Sequence, residues 1–162
     1  MKNAASQLLS VILIIICLSL NISASSNQSG DYILKDVGDK ISRAFSVYDV
    51  ETIKSFTAEG NRIYSDWEEV FSSKGYFGKE QVILSLQKFF RSSEILAVQL
   101  PEDEKKQIGD SKFLFKMIIT YKNKLKDSIL NQNIFFMLVK QSEKGNAANP
   151  SGWIINEIKK MN

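Results

Sequence analysis

The sequence predicts an α+β domain in which amino-terminal helices pack on a curved antiparallel sheet. Two observations predict it. Apolar residues recur at intervals of three and four early in the chain and again over residues 79–91, the period of a helix with one buried stripe. From residue 93 onward the pattern changes to alternation, the period of strands with one face inward. Helices first and strands after belong to a layered α+β plan rather than to alternating βαβ units. With 162 residues, 44% of them hydrophobic and 24% charged, the chain has the length and composition of one globular domain.

The first segment reads as a secretory signal. Lys2 is the only charged side chain before Asp31, and an apolar run from Leu8 to Leu20 follows it, leading to the small-residue exit Ser23-Ala24-Ser25. The run is short of the roughly 20 apolar residues that span a bilayer. The expected organisation is a signal over residues 1–25, a polar linker over 26–30 and one domain over 31–162. Cleavage after Ala24 or Ser25 leaves a mature chain of roughly 137 residues that is exported, periplasmic or secreted, with no stable membrane anchor. Cys17, the only cysteine, lies inside the run behind Ile14-Ile15-Ile16. Bulk before it argues against lipidation, and its removal leaves no thiol for a disulfide or for catalysis.

From Asp31 the pattern is helical, with Val37, Ile41, Ala44, Phe45 and Tyr48 on one stripe. Asp49 reads as the N-cap of a second short helix carrying Val50, Ile53, Phe56 and Thr57, and Gly60 as its stop. Residues 61–67 alternate, with Ile63, Ser65 and Trp67 opposite Arg62, Tyr64 and Asp66, and predict a short strand. Residues 72–78 read as punctuation around Gly75 and Gly78. Val82, Ile83, Leu86, Phe89 and Phe90 make residues 79–91 the clearest helix. Strands follow over 95–100, 112–122, 129–141 and 153–159, with residues 102–106 as an exposed turn or splayed strand end and 145–152 as a loop. Residues 134–139 are apolar on both faces, which predicts a central strand covered on both sides.

These stretches resemble the nuclear transport factor 2-like superfamily, a cone-shaped α+β fold with a cystatin-like helix-on-sheet core. The resemblance runs over Ala44 to Asp66, Gly75 to Phe90, Phe113 to Tyr121, Ile134 to Val139 and Gly152 to Ile158. Tyr76-Phe77-Gly78-Lys79-Glu80-Gln81 leading to Leu86-Gln87-Lys88-Phe89-Phe90 is similar to the third helix of exported bacterial members of unknown function. Gly152-Trp153-Ile154-Ile155 resembles the closing strand. For the superfamily's isomerases, dehydratases, epoxide hydrolases and polyketide cyclases, the resemblance implies an apolar cone with an Asp or Asp/His base and often a Tyr donor inside. No catalytic residue carries over by motif.

The residues themselves narrow the chemistry. The chain has no histidine, which removes imidazole-based nucleophile activation and His metal sites. No patterned acidic loop suggests a metal, and Gly75 and Gly78 lack the spacing of a phosphate loop, so no metal and no cofactor is expected. A net charge of +3 is too small a bias to argue for nucleic acid or a membrane surface. Lys122, Lys124, Lys126, Lys159 and Lys160 read as solvated unless the fold gathers them on one face.

The candidates left are Asp66, Tyr121 and, behind them, Tyr64. Asp66 would serve as a general base if it faced the interior, but it is out of phase with Ile63 and Trp67. Tyr121 is in phase with Phe113, Phe115, Met117 and Ile119, and reads first as core with one wet end and only second as an oxyanion donor. Asn131 and Asn133 share the phase of Phe135, Met137 and Val139, and would either line a cone mouth or be solvated. Two readings follow. One is an exported, non-catalytic binding domain whose apolar cone holds a small hydrophobic ligand or is filled. The other is a small cone-pocket enzyme of the isomerase, dehydratase or cyclase type. The partners expected are a small apolar ligand, a protein, or a second copy paired through the sheet, and no nucleic acid.

Overall fold

The computed structural model describes residues 35–141 and 149–161. The expected signal and linker lie outside them, as does most of the loop before Asn149. The chain divides at Asp36, and the unit that follows is Val37–Asn162.

Residues 35–46 are helical (α1) and bury Val37, Ile41, Ala44 and Phe45 on the expected stripe. Tyr48 leaves that stripe: the helix has ended, and Tyr48 sits at a φ of 60°. Its hydroxyl accepts the Ile95 N–H at 2.8 Å, and its ring meets Phe90 edge-on at 5.5 Å. α2 spans Val50–Ser55, and the Asp49 carboxylate accepts the Thr52 N–H at 3.0 Å as its cap. Gly60, at a φ of 73°, makes the turn into β1, Arg62–Asp66.

A helical turn α3, Glu68–Phe71, follows, and the expected punctuation over residues 72–78 contains a strand β2, Gly75–Gly78. Neither is long enough for a period to show. Their anchors are tertiary: Val70 and Phe71 are buried, and the Phe71 and Phe77 rings lie 4.9 Å apart. α4, Lys79–Ser92, follows at once, and its first turn is fastened by the Gln81 side-chain oxygen accepting the Gly78 N–H at 2.9 Å. Val82, Ile83, Leu86, Phe89 and Phe90 are all buried. Each such burial is worth about 1.5–3 kcal/mol against exposure.

β3, Ser93–Gln99, runs straight on from α4. A 3-10 turn, Glu102–Glu104, then leads into β4, Lys105–Ile108, where the sequence suggested only a turn or a splayed end. β5, β6 and β7 are Lys112–Asn123, Ser128–Lys140 and Trp153–Met161. One sheet takes all seven strands in the order β2-β1-β7-β6-β5-β3, with β4 also on β5. It is antiparallel except where β1 lies parallel to β7, pairing Ser65 with Ile158 and Asp66 with Lys159. The sheet is therefore mixed, not purely antiparallel. Bulges between Ile95 and Ala97 and between Met137 and Leu138 interrupt the registers, the usual device for bending a strand.

One face of the sheet carries the core. Phe113, Phe115, Met117, Ile119 and Tyr121 of β5 and Ile134, Phe136 and Leu138 of β6 are buried on it, against α1 and α4. Phe135, Met137 and Val139 point the other way and are half-buried. β6 is thus central in the sheet, but only its inner face is fully covered.

Candidate functional site

The inner face changes from apolar to polar at one end. The residues that do this come from β1, α3, β5, β6 and β7. Trp67 follows β1 in the inward phase of Ile63 and Ser65 and is fully buried. Its indole N–H donates to the Gln132 side-chain oxygen at 2.8 Å. The Gln132 amide in turn donates to the Glu69 carboxylate at 2.7 Å, and the Lys160 ammonium donates to the same oxygen at 2.6 Å. Glu69 reaches this point because α3 turns the chain directly after Trp67. Its side chain keeps 30% of its exposure. Burial works to raise the Glu69 carboxyl, but the Lys160 hydrogen bond and charge, its own backbone amide and Gln132 together outweigh it, and the group is held below its ordinary 4.5.

Tyr121 lies beside this chain of contacts. It is 1% exposed, its ring meets Phe89 edge-on at 4.9 Å, and its buried hydroxyl has no hydrogen-bond partner among the described residues. Burial pushes the phenol up to about 12, and the Glu69 charge adds to the shift. At neutral pH the group is a proton donor and not a base. Ser65 also buries a hydroxyl without a partner among the described residues.

Asp66 meets only the outer end of these contacts, lining a surface recess with Glu68, Glu69 and Lys160. It is on the outer face, level with Lys159, and its carboxylate accepts from Lys74 at 2.8 Å with 34% of the side chain exposed. Asp66 and Tyr121 are on opposite faces of the sheet, so they do not share a site. Tyr64 is on the outer face too, its ring 5.3 Å from that of Tyr76. Asn131 and Asn133 face outward with Phe135, and Asn131 donates to the Thr120 hydroxyl at 3.2 Å. The inward amide is the one between them, Gln132. Its phase with Ile134, Phe136 and Leu138 was the available signal. Glu69 carried none, since a four-residue helix shows no period.

Behind the polar end the inner face is packed with rings. Phe45 packs on Trp67, Phe90 and Phe136 at 6.1, 5.6 and 5.9 Å, Trp67 on Phe89 at 5.3 Å, and Phe115 stacks on Phe136 at 5.0 Å. A cavity of about 420 Å³ lies where α1 and α2 meet the turn before β7. Val37, Phe56 and Pro150 give it apolar wall, and Lys40, Thr52 and Ser151 give it polar wall. Asn149, buried in that turn, donates to the Ser55 and Trp153 carbonyls at 3.2 and 2.6 Å and so fixes the rim. Among the described residues no group of three or more Asp, Glu, His or Cys is placed to hold a metal.

Helices on one face of a bent, largely antiparallel sheet, closed by a strand parallel to the first, can be set against solved structures. A ketosteroid isomerase-like protein from Erwinia carotovora atroseptica superposes with a TM-score of 0.56 at 13% identity, covering 81% of this chain and 95% of that one. A nuclear transport factor 2-like protein from Cytophaga hutchinsonii gives 0.55 at 15% identity, with 81% and 96% covered. The fold is nuclear transport factor 2-like. A third structure, from Catenulispora acidiphila, has a ketosteroid isomerase-like fold in complex with trimethylamine, and superposes at 0.55 with 10% identity over 78% of this chain and 84% of that one. No protein-family model matches the chain, and no curated protein matches it. Among the described residues no helix is long and apolar enough to cross a membrane.

Proposed function

We propose that this nuclear transport factor 2-like domain is an exported, non-catalytic binding module. The observation that supports it best is the packing of the inner face: the rings of Phe45, Trp67, Phe89 and Phe136 interlock there, and the Glu69 carboxylate is neutralised by Lys160. A general base needs a carboxyl raised toward the working pH, whereas Glu69 is lowered. The ligand is a small molecule with an apolar body and a polar end, held in the cavity between α1, α2 and the Asn149 turn. Its volume of about 420 Å³ is in the range of small-molecule sites. A second copy is the partner for the outer face of the sheet. Leu114, Ile118, Phe135, Met137 and Val139 form its half-buried centre, and ion pairs of both signs, Lys116 with Glu104 and Lys159 with Glu157, flank it. Such a mixed rim is self-complementary under a two-fold axis.

The enzyme reading draws on one observation, the unpartnered Tyr121 hydroxyl, which is a phenol kept protonated inside an apolar site. Native mass spectrometry of the protein recovered from its host separates the two. A retained small-molecule adduct without turnover on ketone or epoxide substrates is the expected result. Turnover that disappears in Tyr121→Phe would overturn it. The mass of each species also reports the subunit count and the amino terminus expected near Ser25.

A further inference from the structure

Lys122, Lys124 and Lys126 are gathered by the fold, while Lys159 and Lys160 are not: those two lie on opposite faces of β7. The three lysines sit in and beside the turn from β5 to β6, and that turn is held rigidly. The Asn123 side-chain oxygen accepts the N–H groups of Leu125 and Lys126 at 3.0 and 3.1 Å. The Lys124 N–H donates to the Ser92 carbonyl at 2.9 Å, and its ammonium to the Arg91 carbonyl at 3.3 Å, which ties the turn to the end of α4. What the turn holds out is Leu125, 87% exposed, with Ile129 exposed just behind it.

Cations lie in the turn itself and on the helix end to which it is tied. Lys88 and Arg91 are exposed on the last turns of α4, and Lys124 and Lys126 are exposed on either side of Leu125. None of the four has an ion-pair partner among the described residues, whereas Lys122 is paired with Asp127 at 2.6 Å. Glu94 stands opposite Lys122 in the ladder and so adds its charge beside an already paired lysine.

We propose that this tip docks reversibly on an anionic lipid surface, with Leu125 in the headgroup–acyl boundary and Lys88, Arg91, Lys124 and Lys126 against the headgroups. A bilayer is the occupant that uses both halves of the patch. It presents negative charge at its surface and hydrocarbon just beneath, at the depth one side chain reaches. A nucleic acid would use the cations but leave the leucine in water, since bases are bound by stacking on aromatic rings, and this tip has none. Each cation near an anionic surface gains about five-fold in partitioning, and burial of a leucine about ten-fold or more. The turn is already ordered, so little conformational freedom is lost on docking. The proposal is independent of what the cone or the outer cavity holds.

The test uses the protein as its host processes it, co-sedimented with phosphatidylcholine vesicles with and without about 30% phosphatidylglycerol. Binding is expected to need the anionic lipid and to fall as salt rises. Lys126→Glu is expected to weaken it by about five-fold or more, and Leu125→Asp by about ten-fold, with melting temperatures unchanged. Equal binding to both vesicle types, or no binding to either, overturns the proposal. So does a loss on lysine reversal with none for Leu125→Asp, which would mark the patch as a general polyanion site, and inorganic polyphosphate competing equally well would show the same.

Discussion

The indole N–H of Trp67 donates to the side-chain oxygen of Gln132 at 2.8 Å, across 65 residues of chain. Both residues are buried, so the amide satisfies the indole on one side and holds Glu69 on the other. Gln132→Leu leaves the indole unpaired and removes one donor from Glu69. The expected loss is about 1–3 kcal/mol in denaturant unfolding. Trp67→Phe on the same background is expected to cost less than Trp67→Phe alone, because the partner it would orphan is already gone.

Phe89 joins the helix to the cone. It touches Trp67, Phe90 and Tyr121 with ring centroids at 5.3, 5.8 and 4.9 Å. Phe89→Ala is expected to destabilise by about 3–5 kcal/mol, a large share of a domain's total. A loss under about 1 kcal/mol in chemical denaturation would mean that the packing of α4 on the sheet is misjudged.

Asp66 is expected to be dispensable. It makes a half-exposed pair with Lys74 on the face away from the core. Asp66→Asn should leave the melting temperature and any ligand binding unchanged within repeat measurements. A change in either would give the outer face a role that its geometry does not suggest.

The parts of the fold that a sequence can announce are those with a period. α1, α4, β5 and β6 repeat a spacing over ten or more residues, and every apolar residue of the α4 stripe is buried. β2 and β4, four residues each, and α3 have no room for a pattern, and only their neighbours define them. The parallel β1–β7 pair joins the two ends of the domain, which no local spacing encodes. The polar end of the cone was half legible. Tyr121 has the inward phase in the sequence, and so does Gln132, which shares the phase of Phe136 while Asn131 and Asn133 on either side of it face outward. Lys160 and Glu69 come together across 91 residues and carried no signal at all.

Alkaline pH tests Tyr121. Its folded value is raised to about 12 from an ordinary 10.0, so the phenol supports the folded state fully below pH 10. That support is expected to fade as pH rises from about 10 toward 12, as the unfolded chain ionises first. Tyr121→Phe, which also removes an unpartnered buried hydroxyl, is expected to flatten this part of the profile and to be at least as stable at neutral pH. A Tyr121→Phe variant with the same alkaline slope would remove the residue from the account.

The Glu69 carboxylate is a structural anion held by Lys160, and its own titration reports on that role. Carboxyl carbon chemical shifts of Glu69, followed by NMR as pH is lowered, report the group itself. A folded value below the ordinary 4.5 is predicted, with stability present above pH 4.5 and lost as pH falls through the folded value. In Lys160→Met the midpoint is predicted to rise, since burial then acts with less opposition. A Glu69 that titrates above 4.5 in the intact protein would contradict this, because burial would then outweigh the Lys160 pair.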